Sequence, residues 1–185
     1  YLLHAGKYHP LLEAVVNLPR TRQMLLRRIR TLADEFLAST YFSTRLDQLY
    51  GLMQPDVRLD RAKWGSDAHF PGHAYTLRQA IDRIRTEYLA PRLGYLTGGC
   101  IAGIGTNAPA SQPANLFLTV SYMDVNPTSG NQDEEYIRLT NTNSIPVDVS
   151  GWRLTQAIDL TCEPGTVIPA GQALYVSPNV AAFRN

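Results

Sequence analysis

The sequence predicts an α+β chain, helical in its first half and built of antiparallel strands in the rest. Three observations predict it. Apolar residues recur at helical spacing as far as Leu89, glycine and proline then break every period from Gly94 to Pro113, and short alternating runs separated by turn signals follow from Leu116. At 185 residues and 44% hydrophobic content, the chain can build packed cores in one or two small domains.

Pro10 stands where a helix starts, because the amide it lacks is unpaired in a first turn anyway, and Leu11, Leu12, Val15 and Val16 give one apolar face. From Thr21 the series Leu25, Ile29, Leu32, Ala33, Phe36 and Leu37 marks the strongest helix, leaving Arg27, Arg28, Arg30 and Asp34 mostly on other faces. Ser43 or Thr44 caps a third helix by accepting from free amides. Asp47 suits its positive end, and Leu46, Leu49, Tyr50 and Met53 face inward. Pro55 and Asp56 open a further short helix through Trp64, closed by Gly65, with Val57, Leu59 or Arg61, and Trp64 inward. Residues 65–74 read as a loop. Thr76 and Gln79 form a capping box before a long helix marked by Leu77, Ile81, Ile84, Tyr88 and Leu89, which Pro91 ends or bends.

Residues 96–114 read as a Gly/Pro-rich linker, and the glycines at 98, 99, 103 and 105 as a hinge. Strands are expected at 116–123, 135–141, 147–149, 152–155 and 173–177. Turns fall at Asn126-Pro127, Ser129-Gly130, Ser150-Gly151, Pro164-Gly165 and Ala170-Gly171. Short strands at this spacing predict a β-sandwich. Within it Tyr136 and Arg138 point one way and Ile137 and Leu139 the other, so one face is core.

Charge is split along the chain. Residues 1–97 hold 14 Lys/Arg against 9 Asp/Glu and residues 98–185 hold 3 against 7, so the formal +1 conceals halves of +5 and −4. Five surplus charges spread over several helices read as solubility rather than as a nucleic-acid interface. No apolar run is long enough for a membrane span. Cys100 and Cys162 lack the spacing of a zinc site on cysteine; a disulfide and two buried thiols both remain open. Asp133, Glu134 and Glu135 are consecutive, without the alternating spacing of a calcium loop. Asp67, His69 and His73 share a loop that Pro71 and Gly72 keep from becoming a metal-binding helix. Asp56 and Asp60 share a helix face, but with Arg58, Arg61 and Lys63 beside them they read as surface pairs rather than glycosidase acids. No phosphate-binding glycine loop with its lysine and no kinase catalytic or metal-binding motif occurs, so no catalytic residue, cofactor or metal is assigned.

The second half carries a pattern more specific than its spacing. Asn126-Pro127, then Asp-Glu-Glu-Tyr136-Ile-Arg-Leu, Val-Asp148-Val-Ser-Gly151-Trp152, and Pro164-Gly165-Thr-Val-Ile-Pro-Ala-Gly171 resemble the lamin-tail domain, an immunoglobulin-like antiparallel β-sandwich. Asp148 and Ser150 are expected to bond backbone amides, Gly151 to supply positive φ, and Trp152 to enter the core. The chain departs from the family pattern twice: Tyr122 replaces the usual acid of the first strand, and Arg138 replaces the usual Glu after Tyr-Ile. The family continues past the position of Asn185 with its last strands, so the domain is expected to be truncated, with an exposed edge.

The first half is similar to the C-terminal part of spore-coat H (CotH) kinase-like proteins. The resemblance rests on Pro-Leu-Leu-Glu-Ala-Val-Val-Asn-Leu-Pro from Pro10, Arg-Arg-x-Arg-x-Leu from Arg27 with Asp-Glu-Phe-Leu from Asp34, Leu-Asp-Gln-Leu from Leu46, and Gln-Pro-Asp-Val-Arg-Leu-Asp-Arg-Ala-Lys-Trp from Gln54. The two resemblances imply a helical subdomain at 1–95, the linker at 96–114 and a lamin-tail domain at 115–185. They also imply an extracytoplasmic bacterial parent in which ATP and magnesium bind only upstream of these helices. The opening Tyr-Leu-Leu, without Met, fits a piece of something longer. The expected partners are the upstream kinase-like domain and a protein or cell-surface component. The alternatives are a structural surface protein whose parent has no kinase activity, and, behind it, a nucleic-acid-binding module.

Overall fold

The computed structural model describes residues 10–65, 75–99, 101, 105–156 and 158–184. Pro10 opens α1 (Pro10–Asn17), in which Val16 is buried while Leu11 and Val15 stay exposed. α2 (Pro19–Leu32) follows and runs on into a π-helical turn, Ala33–Leu37. Its expected apolar face is partly covered, but the most buried side chain of α2 is Arg27, which periodicity had placed on another face.

Pro55 does not open a new helix: α3 (Tyr41–Trp64) passes straight through it. A helical proline costs one amide bond and crowds the carbonyl four residues back; here that carbonyl belongs to exposed Gly51, where water can serve it. Neither Ser43 nor Thr44 caps α3, since the helix already begins at Tyr41. α3 buries none of its described residues completely. Leu46, Leu49, Tyr50 and Val57 are half-covered, whereas Leu52, Met53, Leu59 and Trp64 are exposed.

Thr76 and Gln79 form the expected capping box at α4 (Leu77–Arg83): the Thr76 hydroxyl accepts from the Gln79 amide at 3.1 Å, and the Gln79 side chain accepts from the Thr76 amide at 2.8 Å. A π-helical stretch, Ile84–Leu89, continues α4 and passes into α5 (Ala90–Gly98). Because the π turn is wider, it rotates the inward face. Ile84 and Tyr88 are therefore exposed, against expectation, while Ile81 and Leu96 are buried and Arg85, Leu89 and Leu93 partly covered. Pro91 does not end the helix; its missing amide falls where the bonding pattern changes from π to α. Asp47, in the second turn of α3, meets Arg78 at 2.9 Å and Arg85 at 2.8 Å, tying α3 to the following helices rather than serving a helix end. The paired guanidiniums, Arg85 first, hold its carboxyl below the ordinary range.

Two compact units result, one formed by Leu32–Ala108, the other by Tyr1–Thr31 together with Pro109–Asn185. Leu96, Ile101 and Ala108, from the stretch read as linker, are buried in the first unit, where the Ile101 amide donates to Thr106 at 2.9 Å. α1 and α2 group with the strands, whereas periodicity alone grouped them with the helices that follow.

The strands are β1 (Thr119–Asp124), β2 (Tyr136–Thr140), β3 (Val147–Asp148), β4 (Arg153–Leu154), β5 (Leu160–Thr161), β6 (Val167–Ile168) and β7 (Ala173–Val176). All pairings are antiparallel: a three-stranded sheet in the order β1-β2-β7, and two-stranded ladders β3-β6 and β4-β5. β5 and β6 fall outside the stretches that the sequence marks as strands. A short α6 (Val180–Arg184) ends the described chain, capped by the Asn179 side chain, which accepts from Ala181 and Ala182. The core of this unit is Val147, Val149, Cys162 and Ile168, flanked by Leu116, Leu118 and Leu174.

Trp152 is not in that core. It is 36% exposed, and the inward positions are taken by Val147 and Val149, alternate residues at 0% exposure. The turn explains this: with Gly151 at φ +74°, the chain reverses after Val149 and delivers Trp152 to the outside, its amide donating back to the Val149 carbonyl.

Candidate interaction surface

The three-stranded sheet presents two unlike faces. On one, register aligns Val120, Leu139 and Leu174 in a first row and Met123, Ile137 and Val176 in a second. In the first row Leu139 is 4% exposed and Leu174 packs on the core cluster, while Val120 at the edge stays exposed. The second row opens into a cavity of about 560 Å³, walled on its other side by Ile158, Leu160 and Pro178. Asp124, Glu135 and Asp159 stand around it, and among the described residues no Lys, Arg or His lines it. Asp159 also meets Arg153 at 3.2 Å, an exposed pair of the kind that contributes little.

The other face is aromatic. Tyr136 lies 5.5 Å from Tyr122, 5.8 Å from Tyr175 and 4.9 Å from Phe183 of α6, ring centre to ring centre. Arg138 sits 5.9 Å over the Tyr175 ring. Burial, with Tyr122 and Asp124 nearby, pushes the Tyr136 phenol above its ordinary pKa. Tyr122 and Arg138, the two departures from the lamin-tail pattern, are direct cross-strand partners. Where the family pattern sets two acids, this chain sets an aromatic ring and a cation.

The turn after β3 is anchored as expected and then further. Asp148 accepts from the Ser150 amide at 3.0 Å and from its hydroxyl, and Ser150 Oγ in turn accepts from the Gly165 amide at 2.9 Å. Arg28 of α2 reaches Asp148 Oδ2 and Ser150 Oγ, both at 3.2 Å. Gln112 closes the other side, accepting from the Asp148 amide and donating to its carbonyl. Burial pushes the Asp148 carboxyl up, but the bonds from Ser150, Thr31 and Arg28 together outweigh it and hold its pKa below the ordinary value. Beside this clasp Arg27, 1% exposed, donates to the Ala110 carbonyl at 2.9 Å, and Arg30 bonds Ser111. Sequence reading missed all three arginines as a docking face, since charge on a helix reads as solvent-facing until its partner is known.

A second hub also went unread. Asn141, at 0% exposure, donates through Nδ2 to the carbonyls of Ile145, Ile168 and Pro169 and accepts from Asn143, while its backbone pairs with Gly171 and Gln172. Of the turn residues expected to matter, Gly151, Gly165 and Gly171 all have positive φ. Pro127 is buried and accepts from Gly130, whereas Asn126 and Pro164 are exposed. The three consecutive acids disperse: Asp133 meets Asn179, Glu134 meets Ser129 and Asn131, and Glu135 lines the cavity. Among the described residues no cluster of His, Cys, Asp and Glu suits a metal ion. Cys162 is a buried free thiol whose pKa burial raises, which makes it a poor nucleophile. Cys100, Asp67, His69 and His73 lie outside the described residues.

Antiparallel strands of this order following a helical part, with an open apolar recess, fit an immunoglobulin-like interaction module. The family model of the Lamin Tail Domain matches residues 110–183, so this part of the chain is a lamin-tail domain. No curated protein matches the chain, and no solved structure matches it. Among the described residues, no helix is long and apolar enough to cross a membrane.

Proposed function

We propose that the chain is the non-catalytic, interaction-bearing part of an extracytoplasmic bacterial protein of the spore-coat H kinase-like type. The helices of the Leu32–Ala108 unit brace an upstream kinase-like core that binds ATP and magnesium. The lamin-tail domain, its strands closing an immunoglobulin-like sandwich, docks a protein or cell-surface component. The observation that carries the interaction role is the second row of the sheet, Met123, Ile137 and Val176, open to a cavity instead of covered. Support for the bracing role comes from α3, where Leu52 and Leu59, seven residues apart and so on one helix face, are 74% and 71% exposed.

The test is phosphate transfer from radiolabelled ATP to a general protein substrate, by this chain alone and by its full-length parent, with capture of the separately expressed upstream domain. Transfer by the parent only, and capture lost on Leu52→Asp with Leu59→Asp, is expected. Transfer by this chain alone, or a parent that never transfers phosphate, would sink the reading.

A further inference from the structure

We infer that the cavity beside β1 receives an extended, basic segment of a partner protein, with a bulky aliphatic side chain seated on Met123, Ile137 and Val176. This rests on the lamin-tail domain being an interaction module, and it names the chemistry of the partner. The register leaves these three side chains aligned across the sheet, on the face whose neighbouring row is packed into the core. A cavity of about 560 Å³ holds several side chains, and apolar walls at Ile158, Leu160 and Pro178 complete it.

Charge selects among occupants. Asp124 and Glu135 border the cavity, as does Asp159, which Arg153 pairs at 3.2 Å, and among the described residues no Lys, Arg or His lines it. A lysine or arginine flanking the aliphatic anchor would meet these carboxylates, while an acidic segment would be repelled. The edge supplies the backbone. β1 is the outer strand of the order β1-β2-β7, with Val120, Met123 and Val125 more than half exposed, so an extended segment can pair along it and present alternate side chains to the cavity.

The experiment uses the whole chain and three fluorescein-labelled peptides: Lys-Ile-Lys-Leu-Lys-Ile-Lys, its Glu-for-Lys counterpart, and its Ser-for-aliphatic counterpart, followed by anisotropy. Saturable binding of the first peptide, at least about tenfold tighter than either counterpart, is expected. Met123→Asp should abolish it, and Asp124→Asn with Glu135→Gln should weaken it and flatten its salt dependence; these side chains lie at the surface or cavity mouth. Equal binding of the acidic peptide, or binding indifferent to Met123→Asp, overturns the inference. So does a dimer of this chain that Met123→Asp dissociates, since the occupant is then a second copy. Capture of the upstream domain is read in parallel: a chain that keeps it and ignores the basic peptide loses the cavity assignment alone.

Discussion

Asp148 shows how one side chain acquires a role from its surroundings. In sequence it is the acid of a turn; folded, it is nearly excluded from water and holds Ser150, Thr31 and Arg28 at once. Its folded pKa lies below the unfolded value near 3.8, so its contribution is fully present above that pH and is lost as pH falls through the folded value. The urea midpoint of the native chain should therefore exceed that of Asp148→Asn at neutral pH, with the gap closing below about pH 3.8; a gap that widens on acidification would show the sign to be wrong. Trp152 makes the opposite point. Its residue type suggests a core anchor, yet the Gly151 reversal leaves it one-third exposed. In a Trp64→Phe background, native Trp152 emission should be red-shifted and readily quenched by acrylamide, whereas a shielded, blue-shifted indole would contradict the placement.

At the scale of elements, the capping box is legible and the helix faces are not. The Thr76 and Gln79 pair is a local device whose geometry needs only a helix start, and it forms as its spacing predicts. Thr76→Ala should cost the Leu32–Ala108 unit about 1 kcal/mol, seen as a lower denaturation midpoint; an unchanged midpoint would mean that the helix start does not depend on the box. The face of the following helix was misjudged because an α period was carried through Ile84–Leu89, where the π turn shifts it. α2 was misjudged for a different reason. Its arginines look like solvent-facing charge, but Arg27 reaches the Ala110 carbonyl and Arg28 the Asp148 carboxylate. A guanidinium carries five donors on an apolar stem, so it can be buried where carbonyls and carboxylates converge.

For the whole molecule, chain order and compact grouping diverge. α1 and α2 precede the helical unit in sequence and yet belong with strands from Pro109 onward. Arg27→Ala should destabilise the unit of α2 and the strands by about 2–3 kcal/mol. Hydrogen exchange should then accelerate together in α2, β3 and β6 while α4 and α5 keep their protection; acceleration in α4 and α5 with β3 unchanged would place α2 in the other unit.

By itself the sequence determined what depends on neighbours along the chain: the order of helices before strands, the capping box, the glycine turns at 151, 165 and 171, the Ile137 and Leu139 face of β2, and the lamin-tail pattern. These rest on backbone conformation and short periods, which a few consecutive residues control. Only the tertiary structure decided which arginines are buried, that Trp152 stays outside, that Asn141 is a hub, and that one row of the sheet lies open. The buried arginines and Asn141 depend on partners a long way off in the chain, such as Asp148 for Arg28 or Ile168 for Asn141. Burial is a property of the meeting, and no local period encodes it.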